Sequence, residues 1–406
     1  MRGRMAVIVK NSVSDQIKIT HFTIATCLGR GRQVHFDAMR NSRSGLSPCR
    51  YPDLPFDCFV GSVSELDELH FPEWVSDYDN RANRLALAAL ETDGFLDAAL
   101  RVRDRWGPAR CGVVVGTSTS GIEKLESVYR ERGDNQPLPE GYLMSHHDNH
   151  HAVAAFTQKF LGLTGPSYTI STACSSSAKA LIDATQLIEV GICDAVIVGG
   201  VDSLCLISLN GFEAMQLISR EPCRPCDASR NGASIGEGAA FLVLERDAVG
   251  GVRLSGMGES SDGVSMSTPP KDGAGAAAAM QSALKTADIR ADQVGYINLH
   301  GTATPANDAA ECAAIAQVFG TDTPVSSLKG MIGHTLGAAG AVESVMSIIA
   351  LEENLVPGNV GLETLDPEIA CNVVATSQDE QLTHVLTNAF GFGGSNCALV
   401  FSRCPT

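Results

Sequence analysis

Cys174 is the residue of this chain best suited to covalent chemistry. It lies in Ser171-Thr-Ala-Cys-Ser-Ser-Ser177, directly after a short strand predicted at 167–170. Apolar residues then recur at helical spacing and predict a helix from about 175 to 190. At a helix N-terminus, free N–H groups and the helix dipole favour a thiolate. The segment therefore indicates a nucleophile, although a cysteine packed as a small apolar side chain fits it equally well.

Two histidines occupy matching places further along the chain. His300 begins His-Gly-Thr-Ala-Thr-Pro-Ala-Asn-Asp308 after a predicted strand, and Pro305 suits the first turn of a helix predicted to end at Phe319. His334 lies in Ser327-Leu-Lys-Gly-Met-Ile-Gly-His-Thr-Leu-Gly-Ala-Ala-Gly340, where glycines permit a tight turn. A single histidine is more often structural than catalytic. Two of them at strand-to-helix turns, with a cysteine at a third, indicate one catalytic site.

A glycine-rich turn near the C-terminus adds a fourth candidate segment, Asn388-Ala-Phe-Gly-Phe-Gly-Gly-Ser-Asn396. Its glycines permit positive φ angles and leave backbone N–H groups free, which are the components of an oxyanion hole. An ordinary hairpin turn would contain the same glycines. The two phenylalanines inside the turn favour an apolar wall for a substrate.

The elements that must position these residues repeat along the chain. Strands predicted at 111–115 and 294–299 are each followed by a Gly-Thr segment, and strands at 167–170 and 324–327 each lead through a loop into a helix. Further strands are predicted at 235–244 and 384–389. Alternating strands and helices predict parallel sheets covered by helices on both faces. We therefore predict an α/β fold made of a duplicated unit in one continuous core, with its seam near 248–256.

Composition excludes several other classes of protein. The 406 residues are 44% hydrophobic and 19% charged, which is typical of a folded chain, and no apolar run approaches the length of a membrane span. A formal net charge of −16 argues against nucleic acid as a partner. The thirteen cysteines show no pairing rhythm, and Cys223-x-x-Cys226 has no second pair at zinc-site spacing, so we expect a reduced, cytoplasmic protein without a metal.

Together the four segments resemble the β-ketoacyl-acyl-carrier-protein synthases, the condensing enzymes of the thiolase-like superfamily. The resemblance covers nearly the whole chain from about residue 17 and also includes Gly236-Glu-Gly. It implies a five-layered α-β-α-β-α core. Residues 1–16 would be an irregular extension, 17–252 the half with the cysteine and an insertion at 119–165, and 253–406 the half with both histidines.

The resemblance also implies a division of labour for decarboxylative Claisen condensation. Cys174 would take an acyl group from an acyl-carrier-protein thioester. His300 and His334, as neutral imidazoles, would stabilise the enolate formed when malonyl-acyl carrier protein loses CO2. The N–H groups of Cys174 and Phe392 would form the oxyanion hole, and Phe392 would also gate the acyl pocket. Thr302 and Thr304 would contact the pantetheine arm. Lys329 would orient the His334 loop with support from Glu311, and Asp308 and Phe390 would be further supporting residues.

The same resemblance implies no metal or redox cofactor, because the substrates travel on the phosphopantetheine of the carrier protein. A homodimer is expected, and a heterodimer with another ketosynthase-like chain is the alternative. Two other functions stay open: a CoA-dependent thiolase, which would need a second reactive cysteine such as Cys397, and a chain-length partner subunit, which would lack the nucleophile. A basic docking face is expected at Arg81, Arg84, Lys124, Arg130 and Arg132, although these could equally be ordinary solvated charges.

Overall fold

The computed structural model describes residues 17–51, 53–133 and 135–404, so the predicted extension at 1–16 lies outside the described residues. The strands are β1 Ile17–Thr26, β2 Gly29–Arg30, β3 Ser47–Pro48, β4 Phe59–Gly61, β5 Cys111–Gly116, β6 Ser167–Ile170, β7 Ala195–Asp202, β8 Ile235–Gly236, β9 Gly238–Arg246, β10 Val252–Ser261, β11 Tyr296–Asn298, β12 Pro324–Ser326, β13 Leu355–Val356, β14 Asn372–Val373, β15 Gln378–Asp379, β16 His384–Gly391 and β17 Ser395–Arg403. The α-helices are α1 Arg32–Arg40, α2 Arg81–Leu90, α3 Phe95–Trp106, α4 Ile122–Glu131, α5 Met144–His147, α6 Ala152–Leu161, α7 Ser176–Glu189, α8 Leu206–Ala214, α9 Ala274–Ala287, α10 Pro305–Phe319, α11 Lys329–Ile332 and α12 Ala339–Glu353.

The order of the strands shows the duplication directly. Within the described chain, one large sheet runs β14-β12-β11-β16-β17-β10-β1-β9-β7-β5-β6, with β2 paired beside β1. The series β6-β5-β7-β9-β1 in the first half matches β12-β11-β16-β17-β10 in the second. The two series meet through a single antiparallel pairing, Ile19 with Val252. Each half therefore builds the same five-stranded unit.

The prediction of parallel sheets is right for only part of each unit. Strands β5, β6 and β7 are parallel to one another, and so are β11, β12, β14 and β16. Strand β9 is antiparallel to β1 and β7, and β17 is antiparallel to β10 and β16. The strand predicted at 235–244 is also interrupted at Glu237, whose buried carboxylate accepts hydrogen bonds from the backbone of Val63 and Leu204 and from Arg81.

Helices separate and cover the two units, which produces five layers. Helices α7 and α12 contact each other between the units, α2, α3 and α6 cover the outer face of the first, and α9 and α10 cover the outer face of the second. The alternation of side chains within a strand supports this arrangement. In β5, Val114 packs into the central cluster, whereas Val113 and Val115 pack into the outer one. Both faces of each unit are therefore buried, as strands rich in apolar residues require.

Glycines let the two central helices approach each other closely. A Cβ at Gly340, in the first turn of α12, would lie 2.4 Å from the backbone nitrogen of Ala178 in α7. A Cβ at Gly200 would lie 2.6 Å from the Cβ of Ser177. Any larger residue at these positions would push α12 away from α7 or α7 away from β7, so the glycines fix where the two helix N-termini meet.

Candidate active site

Cys174 lies in the sharp turn between β6 and α7. The strand ends at Ile170 and the helix begins at Ser176, so five residues reverse the chain. Ala173 has a φ of 54°, in the left-handed region that non-glycine residues seldom adopt. The Ser176 hydroxyl donates to the Ala173 carbonyl and also accepts from the Thr172 N–H, which holds the turn in place. The predicted placement of the sulfur at the start of a helix is confirmed by these bounds.

The structure brings the cysteine and both predicted histidines together. Cys174 Sγ and His334 Nε2 are 3.0 Å apart, within hydrogen-bonding distance. One ligand-type atom from each of Cys174, His300 and His334 lies within 4.8 Å of the others, and all three residues are buried. The two imidazole rings stand edge to face with their centroids 5.2 Å apart. A reacting group beside the sulfur would therefore meet both rings.

The protonation state of the cysteine corrects the prediction of a resting thiolate. Burial raises the pKa of Cys174 to about 12, although the nearby charge of Lys329 and the N–H of Phe392 act in the opposite direction. The free-energy cost of burying the thiolate away from water is larger here than its stabilisation by the helix N-terminus and by the charge of Lys329. The resting sulfur is therefore a thiol, and it must lose its proton when it reacts.

Both histidines are neutral in the same environment, which is the state that the resemblance implies for them. Burial lowers the pKa of His300 and of His334 well below 6.5, and the positive charge of Lys329 lowers both further. A neutral imidazole carries one N–H donor and one acceptor nitrogen. The pair can therefore donate hydrogen bonds to a nascent oxyanion or accept the proton of the thiol.

Lys329 is paired with a carboxylate that the sequence analysis did not identify. Its Nζ lies 2.5 Å from Glu343 Oε1, and both side chains are 1% exposed. Glu343 also accepts a hydrogen bond from Asn298 Nδ2 at 3.0 Å. The prediction that Glu311 supports the Lys329 arrangement is therefore wrong, since the partner of Lys329 is Glu343. In the sequence no motif marks Glu343, which is one of three acids in α12 and the one nearest the start of that helix.

Glu311 instead braces the loop that carries His300. Its carboxylate accepts hydrogen bonds from the N–H groups of His300 and Gly301, both at 2.8 Å, and from Asn388 Nδ2 at 3.0 Å. Burial raises the pKa of Glu311 to about 7. Asn388 belongs to the strand that leads into the glycine-rich turn. Glu311 therefore ties the His300 loop to the segment that ends in Phe392.

A cavity of about 330 Å³ gives access to these groups. Its wall contains Cys174, His300 and His334, and most of its lining is apolar. The hydroxyls of Thr302 and Thr304 lie 2.8 Å apart on the same wall. The other predicted residues on the wall are Glu311, Phe390 and Phe392. An elongated apolar molecule with a polar thioester end suits such a lining.

Aromatic rings close one side of the cavity. Phe392 stacks on Phe212 with the ring centroids 5.5 Å apart, and Phe212 stands edge-on to His334 at 6.4 Å. Phe390 lies 5.8 Å from the ring of His300. The sequence analysis missed Phe212, because α8 carries no motif that marks it as part of a site.

Asp308 and Lys329 lie behind the cavity wall rather than on it. The carboxylate of Asp308 accepts a hydrogen bond from the Cys226 N–H at 2.9 Å and lies 3.6 Å from Arg230 Nε. It therefore holds the loop at Cys226 against the start of α10. This contact accounts for the CxxC segment as part of the packed structure, and Cys223 and Cys226 are both buried and free.

Cys397 does not join the cluster of reactive atoms. It is fully buried on β17 within the central apolar cluster, and burial raises its pKa to about 12. The second reactive cysteine that a thiolase would need is therefore not supplied by this residue. The donor spacing of Cys174, His300 and His334 would itself suit a metal ion, so the expectation of no metal stays a prediction.

Comparison with known proteins agrees with this geometry. The family model "Beta-ketoacyl synthase, N-terminal domain" matches residues 78–249, and "Beta-ketoacyl synthase, C-terminal domain" matches residues 252–363. The chain is 32% identical to 3-oxoacyl-[acyl-carrier-protein] synthase 2 of Vibrio harveyi, over 96% of this chain and 98% of the relative. It is 36% identical to a putative polyketide beta-ketoacyl synthase 1 of Streptomyces virginiae, over 95% and 97% of the two chains.

Solved structures give the same answer at the level of the fold. A chain from the complex of the ketosynthase ApeO with its chain length factor ApeC, from Xenorhabdus doucetiae, superposes with a TM-score of 0.88 at 34% identity, covering 96% of this chain and 98% of that one. The chain described here belongs to the β-ketoacyl synthase family. It is a condensing enzyme with a thiolase-like fold, and it acts in chain elongation.

Among the helices of the described part of the chain, none combines the length and the apolar character that crossing a membrane requires.

Proposed function

We propose that this chain condenses an acyl group, held on Cys174, with malonyl-acyl carrier protein, releasing CO2 and a β-ketoacyl-acyl carrier protein. The observation that carries the proposal is the mutual approach, within 4.8 Å, of one sulfur and two imidazoles at the wall of a cavity. Nucleophile, proton acceptor and oxyanion donors are all needed at the same carbon atom. The reaction is that of the family, and each of its steps can be assigned to atoms of this site.

The first step is acyl transfer to the cysteine. The Cys174 thiol loses its proton to His334 Nε2, 3.0 Å away, as its sulfur attacks the thioester carbonyl. The pKa of about 12 makes a free thiolate rare, so the proton leaves during the attack rather than before it. The carbonyl oxygen becomes an oxyanion that accepts hydrogen bonds from the N–H groups of Cys174 and Phe392. The carrier-bound sulfur departs and takes up the proton from His334.

The second step forms the carbon–carbon bond. The malonyl carboxylate leaves as CO2, and its bonding electrons pass into an enolate whose oxygen accepts hydrogen bonds from neutral His300 and His334. Between the two steps the proton of neutral His334 moves from Nδ1 to Nε2, so the nitrogen that accepted the thiol proton becomes the donor to the enolate. The α-carbon then attacks the acyl carbonyl on Cys174, the same backbone N–H groups bind the second oxyanion, and the bond to sulfur breaks. The departing Cys174 sulfur takes up a proton that comes from solvent, which restores the thiol. Neutral imidazoles are suited to this role, since each carries one N–H that can donate a hydrogen bond to the enolate oxygen.

Several residues act at one remove from the reacting atoms. Lys329 orients the His334 loop, and its charge adds to the burial that keeps both imidazoles neutral, with Glu343 as its partner. Thr302 and Thr304 bind the pantetheine arm, while Phe392 opens the acyl side of the cavity by moving off Phe212. Asp308 supports the start of α10 through its hydrogen bond from Cys226, and Phe390 packs beside the ring of His300.

Intact-mass analysis tests the acyl-enzyme. The wild type is incubated with a series of acyl-carrier-protein thioesters of increasing length and compared with Cys174→Ala. The proposal expects a mass gain equal to each accepted acyl group on the wild type and none on the variant. Cys174→Ala that gained the acyl mass to the same extent would exclude this sulfur as the nucleophile.

The partners follow from the same reaction. Carrier protein is the proposed source of both substrates. The reaction as proposed needs no cofactor bound to the chain itself. Of the predicted docking residues, Arg81 is bound to Glu237, Arg84 to Asp79 and Arg130 to Asp53. Lys124 and Arg132 are therefore the better candidates for docking, and loss of carrier affinity on charge reversal at Lys124 is the expected result.

Assembly and compartment complete the proposal. A homodimer is the first expectation, and a heterodimer with a chain length factor is the alternative favoured by the likeness to the ApeO–ApeC complex. The size of the complex formed by the chain alone, measured by light scattering, separates the two. A cytoplasmic location is supported by the thirteen cysteines, all of which are free thiols.

A further inference from the structure

A pair of thiols lies outside the active site, on the hairpin formed by β3 and β4. The strands are antiparallel, with Ser47 opposite Val60 and Pro48 opposite Phe59. The register continues to the next pair, where the Cys49 N–H donates to the Cys58 carbonyl at 2.8 Å. Cys49 and Cys58 therefore stand directly opposite each other, with their side chains on the same face of the hairpin.

Antiparallel backbone pairing of this kind suits a disulfide. Opposed residues of a hydrogen-bonded antiparallel pair have Cα atoms about 5.5 Å apart, near the middle of the range found for disulfides. The two side chains also interact directly in the reduced protein. Closing the S–S bond would need rotation of the side chains and little movement of the strands.

The two thiols differ in access and in ionisation. Cys49 is half-buried, whereas Cys58 is 3% exposed and packs in an apolar cluster with Leu204 and Leu209. The hydrogen bond from the Cys58 thiol lowers the pKa of Cys49, and the same hydrogen bond, together with burial, raises the pKa of Cys58. An accessible thiolate beside a protected thiol is the arrangement of an attacking and a resolving cysteine.

We propose that Cys49 and Cys58 form a reversible disulfide when the protein meets a hydroperoxide. The Cys49 thiolate attacks one oxygen of hydrogen peroxide, the O–O bond breaks, and a sulfenic acid forms while hydroxide leaves and is protonated to water. The Cys58 sulfur then attacks the sulfenic sulfur, its proton is lost, and the S–O bond breaks to release a second water. Two thiols are oxidised by two electrons, and the peroxide is reduced by two.

The neighbours of the pair place it next to the acyl side of the active site. The apolar cluster that contains Cys58 also includes Leu336, two residues after His334, and Phe212 packs against it. Phe212 lines the catalytic cavity. The disulfide would therefore join the two strands of the hairpin beside the helix that supplies one wall of the cavity.

A second thiol cluster provides an internal control for access. The side chains of Cys226, Cys312 and Cys371 also interact with one another, but all three are at most 5% exposed. Both groups therefore contain thiols in contact with each other. Only the hairpin pair includes a partly exposed thiol, that of Cys49. Peroxide should oxidise the hairpin pair and leave the buried trio reduced.

Peptide mapping tests the proposal on the full chain carrying Cys174→Ala, which removes the catalytic thiol from the readout. The protein is treated with a small excess of hydrogen peroxide at neutral pH, unfolded in iodoacetamide and digested with trypsin. Cleavage after Arg50 places Cys49 in peptide 44–50 and Cys58 in peptide 51–81, so only a disulfide can join them. We expect the joined species, lighter by two hydrogen atoms than the two peptides together, and its disappearance after reduction with dithiothreitol.

Two variants identify the roles of the thiols. Cys49→Ser should abolish the joined peptides, and Cys58→Ser should leave a sulfenic acid on Cys49 that dimedone traps. Peptides 44–50 and 51–81 that are both fully alkylated after peroxide treatment would overturn the proposal. Joining of Cys49 to any other cysteine, or oxidation of the buried trio before the hairpin pair, would overturn it as well.

Discussion

Removing the charge of Lys329 is the perturbation whose consequences can be worked out furthest. Lys329→Met leaves the carboxylate of Glu343 buried at 1% exposure without the cation that now lies 2.5 Å away. Its remaining partner is the neutral Asn298 amide. Removing one member of a buried ion pair costs about 3–5 kcal/mol, because the other charge stays uncompensated. We expect a loss of this size in the free energy of unfolding.

A double variant separates the buried charge from the loss of packing. Lys329→Met with Glu343→Gln has no ion at the site, and the glutamine can still accept the hydrogen bond from Asn298. The loss should therefore fall to less than about 2 kcal/mol, the scale of a perturbed hydrogen bond. Urea titration followed by the fluorescence of Trp74 and Trp106 measures both variants, provided that the slopes agree.

The deficit of Lys329→Met should also depend on pH. Burial already raises the pKa of Glu343, and without Lys329 nothing opposes that effect except Asn298. A carboxyl group whose folded pKa is raised loses stability as pH rises, because the folded state must then hold the unfavourable anion. The loss should thus be larger at about pH 8 than at about pH 5.5. Equal losses in the single and double variants, or a single-variant loss below about 1 kcal/mol, would refute the reasoning.

Further expectations concern the imidazoles and the packing of the central helices. Because burial holds the pKa values of His300 and His334 well below 6.5, neither imidazole should titrate between about pH 8 and about pH 6 when the NMR signals of the two rings are followed, and a midpoint near 6.5 for either ring would contradict neutral imidazoles held by burial. Gly340→Ala would place a Cβ 2.4 Å from the Ala178 nitrogen and should lower the free energy of unfolding by about 1–3 kcal/mol. Gly211→Ala in α8, where nothing lies within 4 Å, should not lower it, and thermal melts of the two variants give the comparison.

The parts of the site that could be predicted are those encoded by local sequence. The turn before Cys174 and the turns around His300 and His334 each combine a short apolar strand, small residues and a helix start, so their positions follow from a window of about twenty residues. The duplicated unit was likewise visible as two matching sets of strand-to-turn segments. The boundary at 252/253 stays a prediction.

The parts that could not be predicted depend on contacts between distant segments. Antiparallel pairing of β9 and β17 is decided by which strands meet, and an apolar strand looks the same in either direction. The pairing of Lys329 with Glu343 and the entry of Phe212 into the cavity arise from packing of separate elements. The neutral thiol of Cys174 was missed because the helix terminus is visible in the sequence, whereas the depth of burial that outweighs it is not.

Decarboxylation of malonyl-acyl carrier protein without an acyl acceptor tests the central claim most directly. If the imidazoles stabilise the enolate independently of the sulfur, Cys174→Ala should still release CO2 from the malonyl thioester, and adding His300→Ala or His334→Ala to it should abolish that release. Carbon dioxide released at an unchanged rate after both histidines are removed would contradict the division of labour between one thiol and two neutral rings.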